Sequence, residues 1–348
     1  MFRYPILFSI LLLINILPTI FAHPFDNTYN GRESFVRCEH ILQRKEWRSL
    51  NTAEKKDYIN AVKCLQSTPV NEPSVPAADT LFDLFQGFHI QIALKVHFVG
   101  QFLMWHRYFL KLYENALRDR CNYKGAHPYW DWSKDVEEGR NISSSPMWDV
   151  ETGFGGNGVE GTYTPPTDPD VLANGRINPD AFVGCVQDGP FADLTLNMGP
   201  GLSVTKHCLT RHFNESTHQY LNHTAVEEIM AYETFEDLHT QLEGNKGIRG
   251  PHGSGHSAVG GEMSNFFSSP GDPMFYMHHA NLDRLWRVWQ LKFDKKRMWE
   301  VGGLTGLEAN STALTLDYIL EMNPALGPSV SVRDVMDTEM APNCYTYL

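Results

Sequence analysis

The chain has 348 residues, 42% hydrophobic and 20% charged, a globular balance with enough apolar material for a large core. Its formal net charge of -12 repels polyanions and argues against nucleic acid as a partner.

At the N-terminus, Arg3 precedes an apolar run from Ile6 to Ile16, with Pro18 breaking it and Ala22 offering a cleavage point. The run is too short for a spanning helix, so residues 1–22 read as a signal peptide and 23–348 as one exported domain. No later stretch is long enough to span a bilayer, so no membrane partner is expected. All six cysteines (Cys38, Cys64, Cys121, Cys185, Cys208, Cys344) lie in the mature part. In an oxidising compartment they imply three disulfides, with fifteen possible pairings. Sequons at Asn141, Asn214, Asn222 and Asn310 are potential glycan sites.

Apolar residues at three- and four-residue spacing predict five helices. The first runs from Thr52 to Leu65 after an Asn/Thr cap. The second follows a cap at Asp79 and carries Leu81, Phe82, Leu84, Phe85, Phe88 and Ile92. The third spans Gln101 to Arg120. The fourth runs from Thr224 to Leu242, stopped by Gly244, and the fifth from about Pro273 to Lys295. Between residues 133 and 210 Gly, Pro, Asn and Asp dominate without a strand period, so a long loop region is expected, pinned by Cys185 and Cys208. The fold class is mainly α: a single domain on a helix bundle, with long surface loops.

Six of the fifteen histidines stand apart. His89, His97 and His106 lie in an apolar, aromatic segment that must be buried, where an imidazole needs hydrogen-bond partners or a metal. At about 100° per residue His97 and His106 face opposite sides of one helix. They converge only if the chain breaks between them, and Gly100 offers the break. This places His89 at the end of one helix, His97 in the turn and His106 inside the next helix. His252 and His256, at i and i+4 in Pro251-His252-Gly253-Ser254-Gly255-His256, share a helix face. Of the adjacent His278 and His279 only one can join them, since neighbouring helical residues point about 100° apart. Asp283, one turn after His279, is placed to orient its ring.

The segment from His97 to Phe109 resembles the first copper motif of tyrosinases, and Asp272 to Trp286 the second. Pro128-Tyr129-Trp130-Asp131-Trp132 is similar to a further marker of that family. The resemblance covers most of residues 80–290. It implies a type-3 dicopper centre in a four-helix bundle, with His89, His97 and His106 on one copper and His252, His256 and His279 on the other. His278 and Asp283 would stand behind the ligands. Imidazole suits copper in both oxidation states, and the family uses the pair with O2 to oxidise catechols to o-quinones, some members also hydroxylating phenols. Glu243, nine residues before His252, corresponds to a glutamate that helps hold a water able to take the phenol proton. Phe266 falls where relatives place a residue gating the copper, and Gly253 and Ser257 are expected along the substrate pocket.

Departures from the pattern carry information. Lys95 stands where some fungal relatives have a cysteine cross-linked to the first-site histidine. Gly253 stands where strongly monophenol-active relatives carry asparagine, which tilts the expectation toward catechol oxidation. Three rivals are weighed: a hemocyanin-like oxygen carrier, a polysaccharide monooxygenase using an N-terminal His23, and a non-catalytic binding or structural protein with a zinc or an empty site. Metal analysis separates the third, and the helical pattern disfavours the second. Tyr345-Thr346-Tyr347 resembles the element that closes the catalytic core in relatives, which often continue into a shielding domain; here only Leu348 follows. The secreted protein is therefore expected to be active without protease or detergent, and strong activation by either would contradict this.

Overall fold

The computed structural model describes residues 37–70, 74–137, 139–245, 247–292 and 296–348; the expected signal peptide lies outside them. Helices begin where a side chain satisfies the first free N–H groups. Helix α1 (Thr52–Leu65) is opened by Asn51, whose side chain accepts from Ala53 and Glu54 while Glu54 reaches back to the Asn51 N–H. Helix α2 (Leu81–Val96) opens at Thr80 and not at Asp79. The Thr80 hydroxyl accepts from the Asp83 N–H at 3.2 Å and the Asp83 carboxylate takes the Thr80 N–H at 2.9 Å, a reciprocal cap that Asp79 lies one residue too early to make. Helix α3 (Phe102–Cys121) stops at Asn122 in the left-handed conformation.

The short α4 (Ser133–Val136) and α5 (Pro169–Asn174) lie in the expected loop region. That region also contributes to a small antiparallel sheet of Gly158–Glu160, Gly184–Val186 and Thr210–Arg211. Two tethers hold it: the Cys185–Cys208 disulfide and buried Arg211, which pairs with Asp272 at 2.8 Å and donates to the Phe154 and Gly155 carbonyls. The predicted fourth helix is two helices, α6 (His223–Met230) and α7 (Phe235–Glu243). Thr234 caps α7 by accepting from the Asp237 N–H, so the chain restarts there instead of continuing. Helices α8 (Pro251–Val259), α9 (Met274–Leu291) and α10 (Val332–Val335) complete the set. Helix α9 ends at Leu291, short of the expected Lys295.

Helix α3 packs against α1, α2 and α9, and α8 against α7 and α9. Between α2, α3 and α9 the bundle is filled by buried aromatics such as Phe85, Phe109, Phe275 and Tyr276. Among the described residues no helix is long and apolar enough to cross a membrane. The other disulfides join Cys64 to Cys121, linking α1 to α3, and Cys38 to Cys344, linking the two ends of the described domain.

Asp283 does not orient His279. Its carboxylate is the centre of a buried clasp: one oxygen accepts from Arg107 on α3, the other from the hydroxyls of Tyr345 and Tyr347 (2.6 Å for Tyr347), with Arg44 at 3.5 Å. Arg44 in turn pairs with buried Glu114 at 3.1 Å and stacks on Tyr345. The Tyr-x-Tyr strand, which pairs in parallel with Leu42–Arg44, is thereby bolted to α9 and α3.

Asp283→Ala removes the one carboxylate paired with buried Arg107, while Arg44 keeps Glu114, and is expected to lower stability by about 3–5 kcal/mol, against about 1.5–3 kcal/mol for Tyr347→Phe, both read by urea unfolding. Burial pushes the Glu114 carboxyl up, but Arg44 and Lys111 outweigh it and hold it at about 2, below the usual 4.5. Its contribution is therefore complete above the usual carboxylate value and is lost as pH falls toward about 2. Glu114→Gln should be less stable at neutral pH and show a shallower acid-unfolding limb across that window; an unchanged limb contradicts this origin of acid stability.

Candidate metal centre

Four helix segments bring six histidines to one place. His89 sits mid-way along α2, two turns before its end, where the sequence reading had put the helix terminus. His97 is the residue that ends α2, and His106 lies one turn into α3. The reversal between them is made by Phe98 in the left-handed conformation (φ 59°), with its N–H held by a Glu243 oxygen at 2.6 Å. Gly100 serves the break differently from expectation: any Cβ there would overlap the Gly302 carbonyl, so it permits a close backbone approach. His252 and His256 follow at i and i+4 on α8, and His279 enters from α9.

The ligand-capable nitrogens of His89, His97 and His106 lie within 4.8 Å of one another, and so do those of His252, His256 and His279. The two groups face each other, with the His106 and His279 rings stacked at 4.4 Å and those of His97 and His252 at 5.7 Å. Backbone carbonyls set the orientation. Nδ1 donates to Phe267 O from His89 (2.7 Å), to Ala93 O from His97 (2.9 Å), to Phe102 O from His106 (2.9 Å) and to Met263 O from His256 (2.7 Å). A carbonyl only accepts, so each of these Nδ1 atoms carries the proton and each Nε2 presents a lone pair inward.

Those inward atoms are the test of fit. Nε2 of His89, His106 and His252 is buried with no hydrogen-bond partner among the described residues, and Nε2 of His256 and His279 meet at 3.1 Å. A buried polar atom left unpaired costs about 1–3 kcal/mol, so a cluster of them is tolerable only if something binds there. Burial pushes His89 down to about 3 and His256 to about 4. The other four ligand candidates are also pushed well below 6.5, burial first and neighbouring imidazoles next. All six stay neutral at physiological pH, the form that ligates. Two sets of three imidazoles, without thiolate or carboxylate, suit a pair of copper ions.

His278 points elsewhere. Its Nε2 donates to the His252 carbonyl at 3.0 Å and its ring packs on Trp132 at 5.1 Å. The Pro128–Trp132 segment thus supports α9 from behind, with the Trp130 N–H on the Met277 carbonyl at 3.1 Å. Two aromatics that the sequence reading missed wall the centre: Phe102 at 4.7 Å from both His106 and His252, and Phe275 at 4.1 Å from His279. Each stands four residues before a histidine of its own helix, the i, i+4 signal by which they are findable.

A cavity of about 330 Å3 opens over His97, His252 and His256. Phe266, Gly253, Ser257 and Glu243 all lie on its wall. Phe266 packs on His97 at 4.9 Å and lies parallel to the Phe98 ring at 6.0 Å. Glu243 is buried, which pushes its carboxyl above the usual value; its second oxygen takes His239 Nε2 at 2.8 Å. Lys95 lies on the exposed side of α2, pairing with Glu321 at 3.1 Å, away from the centre.

Gly255 lies between the α8 histidines, and a Cβ there would overlap the His278 ring. Gly255→Ala should therefore force α8 and α9 apart and lower bound copper from about two per folded chain toward one. Metal analysis with circular dichroism checks this, and full copper loading in the variant would refute the packing argument.

A model of the common central domain of tyrosinase matches residues 79–292. Tyrosinase P of Aspergillus terreus is 33% identical over 336 residues, covering 89% of this chain and 93% of that protein. N-acetyl-6-hydroxytryptophan oxidase of Emericella nidulans is 33% identical over 346 residues, covering 89% and 93%. A polyphenol oxidase structure from Thermothelomyces thermophila superposes with a TM-score of 0.75 at 32% identity, covering 88% of this chain and 89% of that one. A tyrosinase from Burkholderia thailandensis shares the fold, with a TM-score of 0.56 at 14% identity. The chain belongs to the tyrosinase family of copper oxidases, and its two histidine triads are the frame of a type-3 dicopper centre that works with O2.

Proposed function

We propose that the protein is a secreted catechol oxidase: it converts o-diphenols to o-quinones and hydroxylates monophenols weakly. His89, His97 and His106 would hold one copper, and His252, His256 and His279 the other. Bound there, the copper pair supplies the route by which two electrons leave each catechol for O2, so that two catechols and one O2 give two quinones and two waters.

The chain's own residues handle position and protons. Phe266, on the wall above His97, offers an aromatic face for the substrate ring. Glu243 is the group on the wall able to take a hydroxyl proton through a water, because burial raises its basicity. Phe98 N–H and His239 hold the carboxylate still, and His278 braces α8 against α9 through the His252 carbonyl. Gly253 and Ser257 leave the wall narrow in side chain and open in space.

The observation that carries the preference for catechols is at Glu243 and Gly253. Both Glu243 oxygens already accept hydrogen bonds from the protein, and nothing stands within 4 Å of the point where a Gly253 side chain would begin. No amide at position 253 helps fix a water against Glu243, which weakens capture of the single phenol proton. The apolar leader and three disulfides support export.

Oxygen uptake by copper-loaded protein on a monophenol and its matched catechol tests the reading. Uptake on the catechol alone is expected, and comparable uptake on both would make the protein a full tyrosinase. The open space predicts that Gly253→Asn folds normally and raises monophenol relative to catechol turnover several-fold, roughly the effect of one positioned hydrogen bond. An unchanged ratio removes position 253 from the argument.

A further inference from the structure

Several arginines of this acidic chain are neutralised by carboxylates. Arg44, Arg107 and Arg211 are buried against carboxylates, and Arg48, Arg284 and Arg287 also pair with Asp or Glu. Two arginines at the metal centre have no such partner among the described residues. Arg249 lines the cavity over His97, His252 and His256 and is the only Lys or Arg among the described residues that do so. Its guanidinium lies over the Tyr220 ring at 5.3 Å. Arg176 lies over Phe266, the cavity's aromatic wall, at 4.2 Å. Both are exposed, and among the described residues neither has a carboxylate within ion-pair distance.

Among the described residues, the single carboxylate on the cavity wall, Glu243, is buried and already occupied by Phe98 and His239. A second cavity of about 540 Å3 shares Arg249, Ser257 and Ser264 with the first, so the space over the metal centre continues past Arg249. Its acidic residues are Asp180 and Glu215. Glu215 is engaged by the Ile142 and Ser143 N–H groups and by His218, and Asp180 makes no ion pair with Arg249. A ring seated on Phe266 would therefore send its substituent along a wall whose one available charge is positive. A guanidinium held on an aromatic face keeps its N–H fork free for a planar anion.

Resting on the catechol-oxidase reading, we infer that the preferred substrates are phenols whose ring carries a carboxylate-bearing side chain, with Arg249 the residue that selects for it. Arg176 adds to the same positive field from behind Phe266. The selection acts on binding and orientation and leaves the oxidation chemistry unchanged.

The test uses copper-loaded protein with 3-(3,4-dihydroxyphenyl)propionate, its primary amide, and 4-methylcatechol. kcat/KM for the acid should exceed that for the amide by about tenfold at low salt, the size of one partly exposed charge-assisted contact, and the ratio should shrink as ionic strength rises. In Arg249→Gln the ratio should fall to near one, chiefly through KM, and Arg249→Lys should restore part of it. In parallel, calorimetry with redox-inert 3-phenylpropionate and its amide reads binding without turnover. An acid-to-amide ratio near one in the unmodified protein, or a ratio that survives Arg249→Gln, overturns the inference while 4-methylcatechol turnover leaves the oxidase reading standing. Selective, Arg249-dependent binding of 3-phenylpropionate without turnover of any catechol would do the reverse.

Discussion

The molecule is organised around a single demand: six imidazoles must be taken out of water, kept neutral and aimed inward at once. Burial alone achieves neutrality, because the charged form is the one that loses solvation. Aim requires that the other ring nitrogen be occupied. Four of the six give their Nδ1 proton to a backbone carbonyl, and a carbonyl fixed in a helix or a tight loop is a rigid acceptor. The orientation of the lone pairs is thereby inherited from the backbone, and metal binding need not order the side chains afterwards.

The supports behind these rings serve the same demand. His278 ties α9 to the His252 carbonyl, and the absence of a Cβ at Gly255 lets the two helices come close enough for that contact. Trp130 and Trp132 brace the opposite side of α9. One turn further along, Asp283 gathers Arg107, Tyr345 and Tyr347, so the register of α9 against α3 depends on a clasp that includes the C-terminal strand. Glu243 belongs to both the support and the chemistry. It pins the left-handed turn at Phe98 that delivers His97, and it faces the cavity where a substrate proton would be released.

Much of the site was legible because the ligand types are rare and their spacing is constrained. His252 and His256 declare a shared helix face, and the pair His278-His279 can supply only one inward ring. The helix starts at Thr52 and Phe102 followed from caps and periodicity within a residue or two. What failed to read through were a cap hidden inside a periodic stretch and contacts set by neighbours remote in sequence. Thr224 to Leu242 looks like one amphipathic helix, yet the local Thr234–Asp237 cap restarts the chain. Asp283 looks like a partner for His279 by helical spacing, yet two arginines and two tyrosines from three other segments offer its carboxylate more.

The sequence by itself determined which histidines are candidates, that they are buried and that the chain is mainly helical, while copper and the choice of His279 over His278 came from its resemblance to the tyrosinase motifs. It could do so because imidazole count, apolar context and i, i+4 spacing are local properties of the chain. Only the tertiary structure decided how the turn after His97 is made, which nitrogen of each ring faces inward, how the six cysteines pair, and that the Arg176 and Arg249 guanidiniums flank the cavity without a carboxylate partner among the described residues. The turn and two of the three disulfides depend on groups remote in sequence meeting in space, as Phe98 meets Glu243 and Cys38 meets Cys344, and even the near contacts that orient the rings, such as His97 on the Ala93 carbonyl, exist only once the backbone is folded; no local pattern encodes such a meeting.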